Sequence, residues 1–219
     1  MSIHTAKLIS ATPNAEETIV YCARVSNPKN QKNLDTAPRL LRYCMKHGHF
    51  SIFEQAHMTV EVNTTPDVSR QMLRHHDMRF QEFSQRYADI NELGGLVLPN
   101  LRKQDTKNRQ NSTPDLDPEL KELLDGRILG LFGEIADLYS YMLEMGVAKE
   151  TARAILPIGG TRTRLYATAN LRTWCFFLRS RTNVATQLEH RLVAESIKEI
   201  FCEQFPVVAE AFFGMEEEE

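Results

Sequence analysis

Aliphatic side chains recur at helical spacing through residues 118–146, and a helix of this length sets the frame for the rest of the fold. The repeating positions are Leu120, Leu123, Leu124, Ile128, Leu131, Ile135 and Leu138. Intervals of three and four residues place these side chains on one stripe of a helix, the longest that the sequence predicts. Gly126, Gly130 and Gly133 weaken this helix unless another element packs closely against them, and we interpret their spacing as a subunit interface.

Strand-like alternation is confined to short segments. Met58, Val60 and Val62 alternate with polar residues, which predicts a half-buried strand over 57–63. Further extended segments are predicted at 6–12, 80–87 and 162–169, and helices at 15–26, 36–48, 66–76, 149–156, 171–179 and 185–205, with N-caps at Asn14, Asp35, Thr65 and Asn170. Few strands among many helices predict an α+β fold, a single domain over residues 1–219 with a small antiparallel sheet.

Composition excludes several classes of protein. A formal charge of -3, from 26 basic and 29 acidic residues, leaves no general polycationic surface for nucleic acid. No apolar run reaches the length of a membrane span and no secretory signal begins the chain, so we expect no membrane partner and a cytoplasmic location. Four widely spaced cysteines predict buried free thiols, and the glutamates at the end predict a disordered acidic tail over 215–219.

Positive charge is concentrated in "RQMLRHHDMRFQEFSQRY", residues 70–87, where four arginines face two acids. A buried charge without its partner costs about 3–5 kcal/mol, so the surplus must either lie in water or meet an anion. Phosphate is the anion that arginine binds in bidentate fashion. A second arginine-rich region at 153–191 indicates more than one phosphate group, held by side chains because no glycine-rich phosphate loop is present.

The histidines allow another interpretation. "HGH" at 47–49, Glu54 and "HHD" at 75–77 are similar to the ligand pattern of metal-dependent phosphohydrolases, in which imidazole and carboxylate hold a metal that activates water. Taken singly, each histidine is predicted to be a hydrogen-bonded packing residue. A metal-dependent nucleotide phosphohydrolase and a non-catalytic nucleotide-binding protein therefore stay open as alternatives.

Several blocks of the sequence resemble those of one known family. Arg74-His75-His76, followed after seven residues by "SQRY" at 84–87, resembles the signature of the flavin-dependent thymidylate synthases. Other blocks in the same order are "ARVS" at 23–26, "KHGHFSIFE" at 46–54, "ETARAILP" at 150–157, "NLR" at 170–172 and "LRSRTNVATQLEH" at 178–190. The resemblance covers most of the chain.

That resemblance implies an activity and its cofactors. It implies an α+β homotetramer with shared active sites that binds FAD and uses NADPH as reductant. It implies transfer of a one-carbon unit from methylenetetrahydrofolate to dUMP, with hydride from the flavin, to give dTMP without a cysteine nucleophile. No metal site is implied.

Roles follow from the resemblance position by position. Residues implied to contact dUMP are Gln71, Arg74, Glu82, Phe83, Ser84, Gln85, Arg86, Arg153 from another subunit, and Arg181. Residues implied to line the flavin pocket are His49, Ser51, Glu54, Arg74, His75, His76, Glu82, Asn170 and Arg172. Arg181 is the implied catalytic group, because a fixed cation beside the uracil favours the ionised N3. Ser84 lacks a histidine-acid pair to activate it, so it is predicted to donate to substrate rather than to act as nucleophile.

Three positions depart from the family pattern. His76 stands where the signature has arginine, Arg79 where serine is usual, and Gln81 where asparagine is usual. We hypothesise that Arg79 restores the charge missing at position 76. The stretch between Pro99 and Pro118 is predicted to be a long loop, and its basic residues Arg102, Lys103, Lys107 and Arg109 would suit a folate polyglutamate tail.

Overall fold

The computed structural model describes residues 2–214, so the acidic tail predicted at 215–219 lies outside the described residues. The strands are β1 Thr5–Ala11, β2 His57–Thr64, β3 Arg79–Glu82, β4 Lys103–Gln104, β5 Ser112–Thr113 and β6 Thr163–Asn170. The helices are α1 Ala15–Ala23, α2 Ala37–Lys46, α3 Pro66–Met72, α4 Pro118–Glu144, α5 Lys149–Ala152, α6 Leu171–Arg181, α7 Leu188–Gln204 and α8 Pro206–Phe213.

Four strands form one antiparallel sheet in the order β1-β2-β6-β3. Strand β6 is central, pairing with β2 along its whole length from Thr163 opposite Thr64 to Asn170 opposite His57. Its other edge holds β3, where Arg79 lies opposite Thr168 and Glu82 opposite Leu165. This arrangement confirms the α+β prediction and its small antiparallel sheet.

The predicted alternation in β2 decides which face of the sheet is buried. Met58, Val60 and Val62 are 0% exposed and lie beside Leu165 and Ala167 of β6. Helices α1, α2, α6, α7 and α8 contribute the other side of this core. The only tryptophan of the sequence, Trp174 in α6, is fully buried there and donates its indole N–H to the Met58 carbonyl at 3.0 Å.

Two predicted boundaries around the arginine-rich segment are wrong. Helix α3 ends at Met72 instead of continuing to residue 76, and the chain turns so that Met78 is buried before β3 begins. Extended backbone ends at Glu82, and the Tyr87 and Ala88 amides both donate to the Ser84 carbonyl. Tertiary pairing with β6 therefore sets these boundaries, which local periodicity did not predict.

Helix caps match the predictions in part. Asn170 Oδ1 accepts a hydrogen bond from the Thr173 amide and so caps α6. Thr65 and Asn14 are N-cap residues without a side-chain cap hydrogen bond, and Thr65 donates instead to Asp67. The N-cap of α2 is Thr36, so the prediction of Asp35 is wrong.

Helix α4 confirms the predicted long helix and is largely exposed. Leu123, Leu131 and Tyr141 are 60%, 54% and 59% exposed. Its three glycines have open space where a side chain would stand, so the described protomer supplies no close contact to them. Phe132 packs so tightly on Gly160 that a Cβ there would lie 2.6 Å from the ring.

The predicted loop at 99–118 contains a small hairpin made of β4 and β5. Asp105 holds its tip by accepting from the amides of Lys107 and Asn108. Among the cysteines, Cys44 and Cys175 are buried free thiols, whereas Cys22 and Cys202 are only partly buried, so the prediction of burial holds for two of the four.

Candidate functional site

A cleft of ≈ 850 Å³ opens where the turn after α3 meets the N-terminal half of α6. Its lining residues are Glu54, Arg74, His75, His76, Asp77, Arg79, Asn170, Arg172, Thr173, Phe176 and Phe177. Six of the nine residues that the sequence assigned to flavin are among them: Glu54, Arg74, His75, His76, Asn170 and Arg172. We call this site the arginine cleft.

Cations outnumber acids in the arginine cleft. Arg74, Arg79 and Arg172 line it together with the acids Glu54 and Asp77. Arg172 donates to Glu54 Oε1, while Arg79 donates to the carbonyl oxygens of His76 at 2.9 Å and Met78 at 3.2 Å. The guanidinium of Arg79 thus lies beside His76, as the charge-compensation hypothesis requires, although its effect on flavin binding stays a prediction.

His75 joins the arginine cleft to Arg181. Arg181 Nε donates to His75 Nε2 at 3.1 Å, so the His75 proton sits on Nδ1 when the ring is neutral. Burial first, and then the nearby Arg181 guanidinium, lower the pKa of His75. A neutral imidazole can therefore orient Arg181 without repelling it, and this contact does not use the two Nη groups of Arg181.

Gln71 belongs to a chain of polar side chains beneath this region. Its Nε2 donates to Gln187 Oε1 at 2.7 Å, and its Oε1 lies 3.2 Å from His190 Nδ1. Gln187 Nε2 donates to Glu189 Oε2 at 3.0 Å. Glu189 in turn accepts two hydrogen bonds from Arg102, and both ionic side chains are about 15% exposed.

His190 is fully buried in the first turn of α7. Its ring lies 5.9 Å from that of Phe177, which also packs against His75 at 4.9 Å. Burial, and then the positive charge of Arg181, lower the pKa of His190 to about 4. The ring is neutral at physiological pH, and its Nε2 has no hydrogen-bond partner within residues 2–214.

Glu82 lies at the other end of β3 from Arg79. Its Oε1 accepts from Ser69 Oγ at 2.7 Å and from Thr163 Oγ1 at 2.8 Å, which joins β3 to α3 and to the start of β6. Both contacts use the same oxygen. Phe83 follows directly and donates its amide to the Arg164 carbonyl at 2.8 Å.

Arg86 and Arg153 form a separate group that does not line the arginine cleft. Ser84, Gln85 and Arg86 lie in the turn after β3, and Arg86 forms an exposed ion pair with Glu150 at 3.1 Å. Lys149 donates to the Tyr87 carbonyl, so this turn is docked on α5, directly before the exposed Arg153. Within one protomer, Arg86 and the α5 segment that leads to Arg153 are neighbours.

His49 and Ser51 are exposed and flank Phe50. The Phe50 ring packs edge-on against Phe176 at 5.0 Å between centroids, and Phe176 lines the arginine cleft. These two predicted flavin residues are therefore placed near its rim but outside its lining.

Several residues around the predicted site were not identified from sequence. His190, Gln187 and Glu189 lie in the block quoted for the resemblance, yet none received a role. The usable signal was His190 itself, a polar residue on the apolar face that continues with Val193, Ala194 and Ile197. The general prediction that a single histidine is a hydrogen-bonded packing residue describes it well.

The structure also bears on the phosphohydrolase alternative and on the polyglutamate hypothesis. Within residues 2–214, no group of three histidine, cysteine, aspartate or glutamate side chains is arranged to hold a metal ion, so the phosphohydrolase alternative is not supported. Among the basic residues proposed for polyglutamate, Arg102 is paired with Glu189 and Lys103 with Asp115.

No helix of the described residues is long and apolar enough to cross a membrane.

Fold and cleft together define an α+β protein that can hold phosphorylated ligands on arginine side chains. The model of the thymidylate synthase complementing protein family matches residues 7–207. A probable flavin-dependent thymidylate synthase of Paramecium bursaria Chlorella virus 1 is 44% identical over 214 residues, 94% of this chain and 98% of that protein. The flavin-dependent thymidylate synthase of Synechocystis sp. is 43% identical over 90% of this chain and 88% of its own length.

A solved structure has the same fold. It is a UMP/dUMP methylase, PolB from Streptomyces cacaoi, bound with 5-Br dUMP, with a TM-score of 0.86 at 26% identity, covering 98% of this chain and 96% of that one. The chain therefore belongs to the flavin-dependent thymidylate synthase family.

Proposed function

We propose that this protein synthesises dTMP from dUMP, taking the one-carbon unit from methylenetetrahydrofolate and using FAD that NADPH reduces. It is an enzyme of the methyltransferase class. The observation that carries the proposal is the juxtaposition of the arginine cleft with Arg181, whose guanidinium is oriented by His75. A cationic cleft suits a dinucleotide cofactor, and an oriented guanidinium next to it suits a uracil ring.

The residues present fit FAD. Arg74, Arg79 and Arg172 supply more positive charge than the two acids of the cleft neutralise, as a pyrophosphate requires. Phe176 and Phe177 add aromatic surface at the same cleft. When bound, FAD supplies the hydride that completes the methyl group.

Arg181 is the residue we assign to the uracil. A cation fixed near O2 or O4 stabilises negative charge on the ring and lowers the free energy of the ionised N3 state. Because its Nε already donates to His75, we assign the substrate contact to the two Nη groups, which restricts the geometry of approach. His75 is thus a positioning residue for Arg181, in addition to its predicted place at the flavin.

No cysteine is proposed as nucleophile. None of the four cysteines lines the arginine cleft. Burial raises the pKa of the Cys44, Cys175 and Cys202 thiols, which lowers the fraction of reactive thiolate at neutral pH.

For the phosphate of dUMP we propose Ser84 and Arg86 with Arg153 of the same protomer, in place of the Arg153 from another subunit that the resemblance implied, because the turn that carries Arg86 is docked on α5 directly before Arg153. The Arg86–Glu150 pair is more than half exposed on both sides, so an incoming phosphate can replace Glu150 at small cost. We propose that Gln71 and Arg74 complete the nucleotide site from another subunit, in a homotetramer. Supporting this assembly, α4 exposes Leu123, Leu131 and Tyr141 beside glycines with open space. A single domain and a cytoplasmic location complete the proposal.

The test begins with purified protein. We expect a yellow protein that releases FAD on denaturation and converts dUMP to dTMP with methylenetetrahydrofolate and NADPH. Arg181→Ala is expected to lose at least about a hundredfold in turnover. Arg42→Ala should leave turnover unchanged, because Arg42 on α2 forms only an exposed ion pair with Glu210 on α8. Protein that binds FAD and dUMP but forms no dTMP would refute the catalytic proposal.

The assembly has its own test. Leu123→Glu places a charge on the exposed face of α4 and is expected to convert the tetramer into smaller species. Light scattering after size-exclusion chromatography measures this directly. A wild-type monomer would contradict the proposed tetramer.

A further inference from the structure

The hydrogen-bonded chain of side chains that runs from Arg102 to His190 through Gln71 has only one possible direction of donation. Arginine can only donate and an ionised carboxylate can only accept, so the bidentate Arg102–Glu189 pair fixes the first link. Glu189 must therefore face the NH2 group of Gln187, as it does at 3.0 Å. Gln187 is then left with its carbonyl oxygen toward Gln71.

The same logic fixes the next amide and the imidazole. Gln71 gives an N–H to Gln187, so its carbonyl oxygen faces His190. His190 must donate from Nδ1 to that oxygen, which makes Nδ1–H the tautomer that the network selects. A neutral ring suffices for this, and burial beside Arg181 keeps the ring neutral.

We propose that His190 and the Arg102–Glu189 pair are positioning residues that hold the carboxamide of Gln71 in one orientation for the nucleotide. The inference rests on the proposed function, because Gln71 is there assigned to dUMP. With one N–H and one lone pair already engaged, Gln71 offers its ligand a single donor and a single acceptor in a fixed order. If only one end of the carboxamide were hydrogen-bonded, the group could rotate and its donor and acceptor would no longer have fixed positions.

The His190 link is the one that can be removed with least disturbance of charge. Glu189 and Arg102 are an ion pair that is mostly buried, and breaking it would leave a charge without partner. His190 instead contributes one neutral hydrogen bond, so its removal isolates the effect on Gln71. Leucine replaces the ring with apolar volume, and asparagine retains an N–H donor near the position of Nδ1.

The experiment measures dUMP affinity of the FAD-loaded protein by titration calorimetry. We expect His190→Leu to bind dUMP about five- to tenfold more weakly, as for one lost hydrogen bond, and His190→Asn to stay within about threefold of wild type. Val193→Ala, one turn further along α7 and equally buried, is the packing control and should bind dUMP normally. The KM for dUMP should follow these affinities, with kcat within about twofold of wild type.

A double-mutant cycle tests whether His190 acts through Gln71. In a Gln71→Met background, the change His190→Leu is expected to alter dUMP affinity by less than about twofold. An equal loss in both backgrounds, or wild-type affinity of His190→Leu, would overturn the inference while leaving the proposed function intact. Wild-type protein that carries FAD but binds no dUMP would overturn both.

Discussion

Acidification is expected to destabilise this protein through His190. The pKa of the buried ring is about 4, against 6.5 for an exposed histidine, because burial and the Arg181 and His75 groups oppose its positive charge. Since the unfolded chain binds this proton below pH 6.5 and the folded chain does not, the stabilisation is complete above pH 6.5 and is lost as the pH falls toward 4. At 1.36 kcal/mol per pH unit, the loss approaches ~3 kcal/mol.

Urea unfolding at pH 7, 6, 5 and 4 measures this loss, with the fluorescence of the buried Trp174 as the probe. His190→Asn cannot titrate, so its free energy of unfolding should fall less steeply than that of the wild type over the same range. The gap between the two curves, after subtraction of their difference at pH 7, should reach ~3 kcal/mol at pH 4. Parallel curves would refute the assignment of a buried neutral imidazole.

Other predictions address packing, flavin and folate. Gly160→Ala is expected to lower the free energy of unfolding by about 1–3 kcal/mol because the added Cβ would overlap Phe132, whereas Gly214→Ala, with open space around it, should be nearly neutral in the same urea assay. Arg79→Ser should weaken FAD binding about tenfold by equilibrium titration; unchanged FAD affinity would refute charge compensation for His76. Replacing Lys107 and Arg109 by serine should raise the KM for polyglutamylated folate but not for monoglutamyl folate, and an unchanged KM would eliminate the polyglutamate hypothesis.

The sequence predicted the parts of the fold that depend on periodicity. Alternation in residues 57–63 gave β2 with the correct buried face, and the aliphatic repeat gave α4. Asn170 was identified correctly as the cap of α6, because an amide that accepts from the third following residue acts locally. Such features need no knowledge of distant partners.

Boundaries that depend on distant partners could not be predicted in this way. Leu73 and Arg74 after Met72 are compatible with a helix, yet α3 stops at Met72 so that β3 can pair with β6. Beyond Glu82 the alternation of aromatic and polar residues continues, but the strand ends and the Ser84 carbonyl closes a turn. Both outcomes depend on the position of β6, far along the chain.

The candidate site shows the same division. Six of the nine residues predicted from the family blocks line one cleft, whereas His49, Ser51 and Glu82 lie outside its lining. His190 went unassigned because its importance comes from its neighbour Gln71, 119 positions away in sequence. Periodicity places a residue on a face, but it does not reveal which polar group that face will meet.

Strand β6 fixes the distance between two parts of the enzyme. Thr163 at its start binds Glu82, and Asn170 at its end caps the helix that carries Arg172 into the arginine cleft. Seven residue steps of extended chain fix the separation of these points at roughly 23 Å, with no flexible joint between strand and helix. A shift of β6 by one residue would misplace both ends together, so this strand should tolerate changes of side chain far better than changes of length.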